Sequence, residues 1–73
     1  MKDAFYLSLK SKLEPNIQII DIEHFDWLEK YIFSMSNKTA IINFYYNKKG
    51  EFKTPIIDKK SSQNLVAKIM ELI

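Results

Sequence analysis

The stretch AIINFYYNKKGEFKTPII, residues 40–57, decides the predicted fold. Two β-rich runs, 40–46 and 51–57, flank a loop over residues 47–50, in which Gly50 can supply the left-handed conformation that a hairpin needs. Pro55 has no N–H to donate to a ladder, which predicts an edge position for the second strand. Alternation assigns the core face to Ile42, Phe44, Phe52 and Ile56, and the opposite face to Asn43, Tyr45, Glu51 and Lys53.

The residues before this hairpin predict a strand followed by a helix. The run Ile17–Ile22 is nearly continuously apolar, which is typical of a strand covered on both faces. Asp21 can then cap a helix whose first turn holds Glu23 and Asp26, where negative charge suits the helix dipole. The buried stripe of this second helix consists of Ile22, Phe25, Leu28, Ile32 and Met35.

Both ends of the chain predict helices. An apolar stripe from Asp3 to Leu13, ended by Pro15, favours a first helix, although residues 5–10 also alternate with the period of a strand. Ser61 or Ser62 can cap a final helix. The broad apolar face of that helix consists of Leu65, Val66, Ile69, Met70, Leu72 and Ile73.

Together these elements predict an α+β fold, a two-layer α/β sandwich in the order α-β-α-β-β-α. The three-stranded sheet contains the hairpin, carries helices mainly on one face, and has a right-handed crossover between its first two strands. With 73 residues the chain has room for one core, so residues 1–73 are predicted to form a single small domain.

Composition narrows the functional classes. A hydrophobic fraction of 47% is too high for disorder, and no stretch reaches the ~20 apolar residues of a membrane span. No signal-peptide pattern begins the chain, so we expect a cytoplasmic protein that does not contact membranes. Cysteine is absent, and all 11 basic residues are lysine, which lacks the planar fork that reads guanine.

Two segments carry residue types used in catalysis. Residues 21–26 hold three carboxylates and the only histidine, His24, but a helix cap and first turn account for them better than a metal site does. Glu51-Phe52-Lys53 resembles the E-x-K element of restriction-type nuclease cores, for which Asp21 or Asp58 would have to supply the second carboxylate. A nuclease-like, metal-dependent fragment is therefore the least favoured hypothesis. We predict no catalytic residue, no metal, no cofactor and no enzymatic activity.

Charge is uneven along the chain. Residues 14–30 contain five acids and one lysine, whereas residues 48–60 contain five lysines and two acids. These lysines, near Tyr45 and Tyr46, suggest a low-specificity nucleic-acid interface on the hairpin. A solvated hairpin with lysines that guard an edge strand against aggregation is the competing interpretation, favoured by the net charge of only +2. The lysines concerned are Lys48, Lys49, Lys53, Lys59 and Lys60.

Aromatic residues suggest a protein partner instead. Trp27 and Tyr31 lie four residues apart on the predicted second helix, offset from its buried stripe, and Tyr45 lies on the outer sheet face. Widening of the protein's own core explains the first two equally well. The leading hypothesis is a non-enzymatic protein-binding module, a self-associating protein, an adaptor or an inhibitor of the kind that phages and mobile elements encode, which binds through these residues or a free sheet edge.

Overall fold

The computed structural model describes residues 2–47, 49, 51 and 54–73, with side chains from Ala4 onward. Its sheet is antiparallel throughout, and neighbours in space are neighbours in sequence, in the order β1-β2-β3-β4. The α+β class is confirmed, whereas the predicted three strands and the order of elements are wrong. The elements are α1 (Lys2–Leu13), β1 (Gln18–Phe25), β2 (Leu28–Met35), β3 (Lys38–Tyr45), β4 (Ile56–Ile57) and α2 (Gln63–Leu72).

The predicted second helix is wrong, because residues 22–35 form the end of β1, a tight turn and the whole of β2. The segment carries two periodicities at once. Its helical stripe coexists with a period of two along β2, where Glu29, Tyr31 and Phe33 are buried and the residues between them are half-buried. Antiparallel pairing on both sides of β2 satisfies its backbone and selects the strand. No crossover is needed, so the right-handed connection is also wrong.

Two-residue turns join the three long strands. Asp26-Trp27 connects β1 to β2, and Ser36-Asn37 connects β2 to β3. Ser36 has φ of 51°, the left-handed region, which costs a residue with a Cβ some strain but suits the twist of a tight hairpin. The predicted strand at Ile17–Ile22 begins at Gln18 and extends to Phe25. It lies at the sheet edge and is largely exposed, so covering on both faces is wrong.

The hairpin over residues 40–57 is confirmed in pairing but not in length. Ile42 pairs with Ile57 and Asn43 with Ile56, so Ile57 lies on the core face and the prediction for Ile56, which is 55% exposed, is wrong. The Asn47 side chain organises the loop by accepting the backbone N–H groups of Lys49 and Glu51 at 2.9 and 3.0 Å. Four residues assigned to this hairpin, Lys48, Gly50, Phe52 and Lys53, lie outside the described residues.

Both helices pack on one face of the sheet. Leu9 and Leu13 from α1 and Leu65 and Ile69 from α2 are buried against that face. Ser62, one of the two predicted candidates, caps α2, and its hydroxyl accepts the Leu65 N–H at 3.4 Å. The sheet therefore has a core face, covered by the helices. The core-face residues are Tyr31, Phe33, Ala40, Ile42 and Phe44, with Ile19, Ile22 and Ile57 packed at the margin.

Candidate functional site

The other face of the sheet, which we call the open face, is covered by no described element. Register places cross-strand rows on it: Asp21, Ile32 and Ile41 form one row, and Phe25, Leu28 and Tyr45 another. These rows form a continuous surface across the three long strands. The open face also carries Gln18, Glu23, Lys30, Ser34, Thr39, Asn43 and Ile56.

The middle of the open face is apolar with a few hydrogen-bonding groups. Ile32 and Ile41 lie opposite each other at the centre of β2 and β3, and both are half-buried only by their neighbours in the sheet. The Asn43 amide reaches the Ile56 carbonyl at 3.4 Å, a long bond that a ligand can replace at little cost. Such a surface suits a partner with apolar and hydrogen-bonding groups together.

Aromatic side chains gather at one end of the open face. Phe25 is 50% exposed, and Tyr45 lies two positions along the same row. In the adjoining turn Trp27 is 53% exposed, and its ring meets that of Tyr46 edge-on at 6.4 Å between centroids. The Tyr46 N–H donates to the Trp27 carbonyl at 3.2 Å, which ties this turn to the end of β3.

Charge divides the surface. Asp21 and Glu23 on β1 and Asp26 in the turn are exposed, and they make the β1 margin acidic. Lys30 on β2 lies 3.4 Å from Glu23, so part of that negative charge is offset. The β3 residues on the open face carry no charge, and the exposed lysines Lys59 and Lys60 follow β4 at the other side of the sheet.

The three predicted partner-binding residues do not form one surface. Tyr31 is 0% exposed and stacks on Phe33 at 5.8 Å between ring centroids, so the prediction that it faces a partner is wrong. Trp27 is exposed, but in a turn rather than on a helix. Tyr45 lies on the open face, at the end that adjoins Trp27. Alternation over β2 is the signal that places Tyr31 in the core.

The predicted lysine interface is divided in the same way. Lys48 and Lys53 lie outside the described residues. Lys49 follows the end of β3, whereas Lys59 and Lys60 lie beside its beginning, where Asp58 donates its N–H to the Ile41 carbonyl at 3.0 Å. Residues so close in sequence are thus separated by most of the length of a strand, so the described lysines form no single cluster.

The residues considered for catalysis also diverge. Asp21 and Glu23 point to the open face, whereas His24 lies on the opposite side of β1. Among the described residues no group of three His, Asp or Glu side chains could hold a metal ion. Glu51 accepts from the Asn47 amide at 2.9 Å, and its supposed partner Lys53 lies outside the described part of the chain.

One polar residue of the core was missed. Glu29 is 0% exposed; its Oε1 accepts the Tyr31 hydroxyl at 3.2 Å, and its Oε2 lies 3.3 Å from His24 Nδ1. The Tyr31 hydroxyl offsets part of the cost of burying this carboxylate, whereas Oε2 accepts no hydrogen bond from the described residues. Reading residues 28–35 as a strand would have placed it there.

Comparison with family models covers the whole chain, residues 1–73. The model that matches describes the TATA-binding-like protein domain of the TOTE conflict systems. The chain belongs to this family. Comparisons with curated proteins and with solved structures gave no match. According to the family description the chain is a small domain of the TOTE conflict systems. This description is consistent with the predicted interaction module and names no partner. No described helix of this TATA-binding-like domain is long and apolar enough to cross a bilayer.

Proposed function

We propose that this domain binds double-stranded DNA through the open face of its sheet and catalyses no reaction. The observation that supports the proposal most is a solvent-facing sheet surface with an apolar centre in a chain of the TATA-binding-like family. The proposal replaces the surface predicted around Trp27 and Tyr31, since Tyr31 is buried. It keeps the nucleic-acid hypothesis but moves the contact from the lysine hairpin to the sheet.

The chemistry of the open face suits the minor groove. Sheets can enter that groove, where apolar side chains contact sugars or wedge between base steps and amide or hydroxyl groups meet base-edge acceptors. Ile32 and Ile41 supply the apolar centre, Asn43 a donor beside it, and Tyr45 a ring at the end of β3. Because the minor groove distinguishes mainly A·T from G·C, we expect a preference for A·T-rich, deformable sequences.

The dimensions fix the expected site. Eight residues at about 3.4 Å each give the three long strands a length of roughly 27 Å. That length corresponds to about eight base pairs at ~3.4 Å per pair. A duplex of about twice that length therefore holds the contact with flanking DNA on both sides.

Electrostatics orient the duplex on the sheet. Phosphates are repelled by the acidic β1 margin at Asp21, Glu23 and Asp26, so the duplex lies toward β3. Lys30 is the one cation on the described open face, which leaves few counterions to be released. The affinity should accordingly fall only gently with salt, with a logarithmic slope near −0.9 for each phosphate contacted.

The decisive variant pair is Asn43→Glu and Asn64→Glu, measured by fluorescence anisotropy on A·T-rich and G·C-rich duplexes. Both changes add one negative charge, but Asn43 lies on the open face opposite Lys30 and Asn64 is exposed on α2. We expect Asn43→Glu to weaken binding about tenfold or more, because it sets a carboxylate against the groove, and Asn64→Glu to change it less than about twofold. Equal affinities of the two variants would refute binding by the open face.

A second variant distinguishes DNA binding by the lysines from DNA binding by the open face. Changing Lys49, Lys59 and Lys60 together to Glu should lower affinity through long-range repulsion while the effect of Asn43→Glu persists in that background. Loss of binding in the triple variant together with an unaffected Asn43→Glu protein would transfer the interface to the lysines. Absence of binding to any duplex at low salt would refute the proposed function outright.

The family name supports a setting for this activity. A DNA-binding domain in a conflict system would hold the assembly on nucleic acid, which is the role of an adaptor. In that setting the domain itself needs only affinity, and chemistry belongs to other components.

A further inference from the structure

The two edges of the sheet differ in how much of their backbone is paired. Beside the first half of β3, where β4 does not reach, the chain from Asp58 to Ser62 closes the edge. Asp58 and Ser62 donate their N–H groups to the carbonyls of Ile41 and Thr39 at 3.0 and 2.9 Å. The Ser61 hydroxyl accepts the Ile41 N–H at 2.8 Å. This edge therefore has little left to offer a further strand.

The other edge is open along eight residues. Within the described part of the chain β1 pairs with β2 alone, and one of its N–H groups, that of Ile22, donates to the Asp21 carboxylate. An unpaired edge of this length is a template for another strand. The only irregularity is the register shift between Ile19 and Asp21, which leaves Ile20 outside the ladder and 56% exposed.

Side chains on β1 differ sharply between its two sides. Asp21 and Glu23 lie on the open-face side. The Asp21 carboxylate accepts the Ile22 N–H at 2.9 Å, which fixes the carboxylate close to the backbone of β1. Ile19 and Ile22 stand on the core-face side, half-buried at the margin of the core. A strand added beside residues 19–23 meets carboxylates on one side and aliphatic groups on the other, with His24 and Phe25 beyond them at the end of β1.

This pattern selects between partners. A second copy pairing antiparallel through β1 would bring Asp21 and Glu23 of each chain close to those of the other, and like charges across a ladder are destabilising. A strand with lysines on the open-face side would instead pair with Asp21 and share Glu23 with Lys30, which lies 3.4 Å from that carboxylate. Apolar residues at the alternate positions would extend the cover over Ile19 and Ile22.

We propose that the β1 edge binds an extended segment of another polypeptide in which lysine alternates with aliphatic residues, added to the sheet as a fifth strand. Main-chain hydrogen bonds supply the affinity, and the two rows of side chains supply the specificity. The site lies at the β1 margin of the open face, away from the β3 side proposed for DNA, because the carboxylates that attract this segment repel phosphate. The β1 edge is thus the surface through which we expect the domain to bind a protein partner.

The test uses a fluorescent ten-residue peptide that alternates lysine with valine, titrated with the protein by anisotropy. A peptide with glutamate in place of lysine tests charge. A third peptide, N-methylated at alternate residues so that it keeps its side chains but loses ladder donors, tests strand addition. We expect only the first peptide to bind, with amide shifts in nuclear magnetic resonance spectra centred on residues 18–25.

Matched protein variants complete the test. Asp21→Lys and Glu71→Lys add the same charge, but Glu71 is exposed on α2. We expect severalfold weaker peptide binding for Asp21→Lys alone, with both variants folded by circular dichroism. Binding of the N-methylated peptide, equal loss in both variants, displacement by an A·T-rich duplex or shifts outside β1 would each overturn the proposal. None of these outcomes decides DNA binding, which has its own variant pair.

Discussion

Tyr31 and Ile32 are neighbours in β2 that belong to different halves of the molecule. The Tyr31 ring is fully buried among Phe5, Phe33 and Phe44, with ring centroids 5.4 to 5.8 Å away. Ile32 lies on the open face between Asp21 and Ile41, with no described element above it. One side of the strand therefore makes the fold, and the other is available for function, although both sides are rich in apolar groups.

The largest expected effect separates these two neighbours by stability. Tyr31→Ala removes a buried ring and leaves a cavity, which should lower the free energy of unfolding by about 3–5 kcal/mol. Ile32→Ala removes a half-exposed side chain and should cost only about 1 kcal/mol. Urea denaturation followed by circular dichroism measures both. Similar losses for the two variants would mean that the open face is packed against something in solution.

Sequence patterns predicted one of these halves better than the other. Local periodicity predicts the buried Leu65 and Ile69 in α2 and the inward Ile42 and Phe44 in β3, and all four are confirmed. The cap of α2 follows from its residue type, and Ser62 is one of the two candidates. The segment over residues 22–35 fits both a helix and a strand, and only pairing with β1 and β3 decides between them. That single misassignment moved Tyr31 from the core to a predicted interface.

The open face escaped prediction for the same reason. Its members come from all four strands, and their juxtaposition depends on a register that no single segment encodes. Tyr45 was placed on an outer sheet face by alternation within β3, which needs no partner strand. The lysines were grouped by sequence distance, although β3 separates Lys49 from Lys59 and Lys60.

A smaller difference in stability is expected between loss of the hydroxyl at Tyr31, in the core, and at Tyr45, on the open face. Tyr31→Phe leaves the ring in place but removes the hydroxyl that donates to buried Glu29, so the carboxylate loses a partner at a cost of about 1–3 kcal/mol. Tyr45→Phe on the open face removes a hydroxyl that water can replace and should change stability by less than about 0.5 kcal/mol. Thermal and urea unfolding give both values, and a cost at Tyr45 equal to that at Tyr31 would contradict the assignment of the two faces.

Coverage of the open face by DNA can be measured directly, because the chain contains no cysteine and a single thiol can be introduced. Ser34→Cys places a thiol on the open face, and Ser8→Cys places one on the exposed side of α1, in the other layer. The rate of alkylation of each thiol is measured with and without a saturating A·T-rich duplex. If DNA covers the open face, the duplex slows alkylation severalfold at position 34 and leaves the alkylation rate at position 8 unchanged. Equal rates at position 34 with and without bound duplex would contradict it.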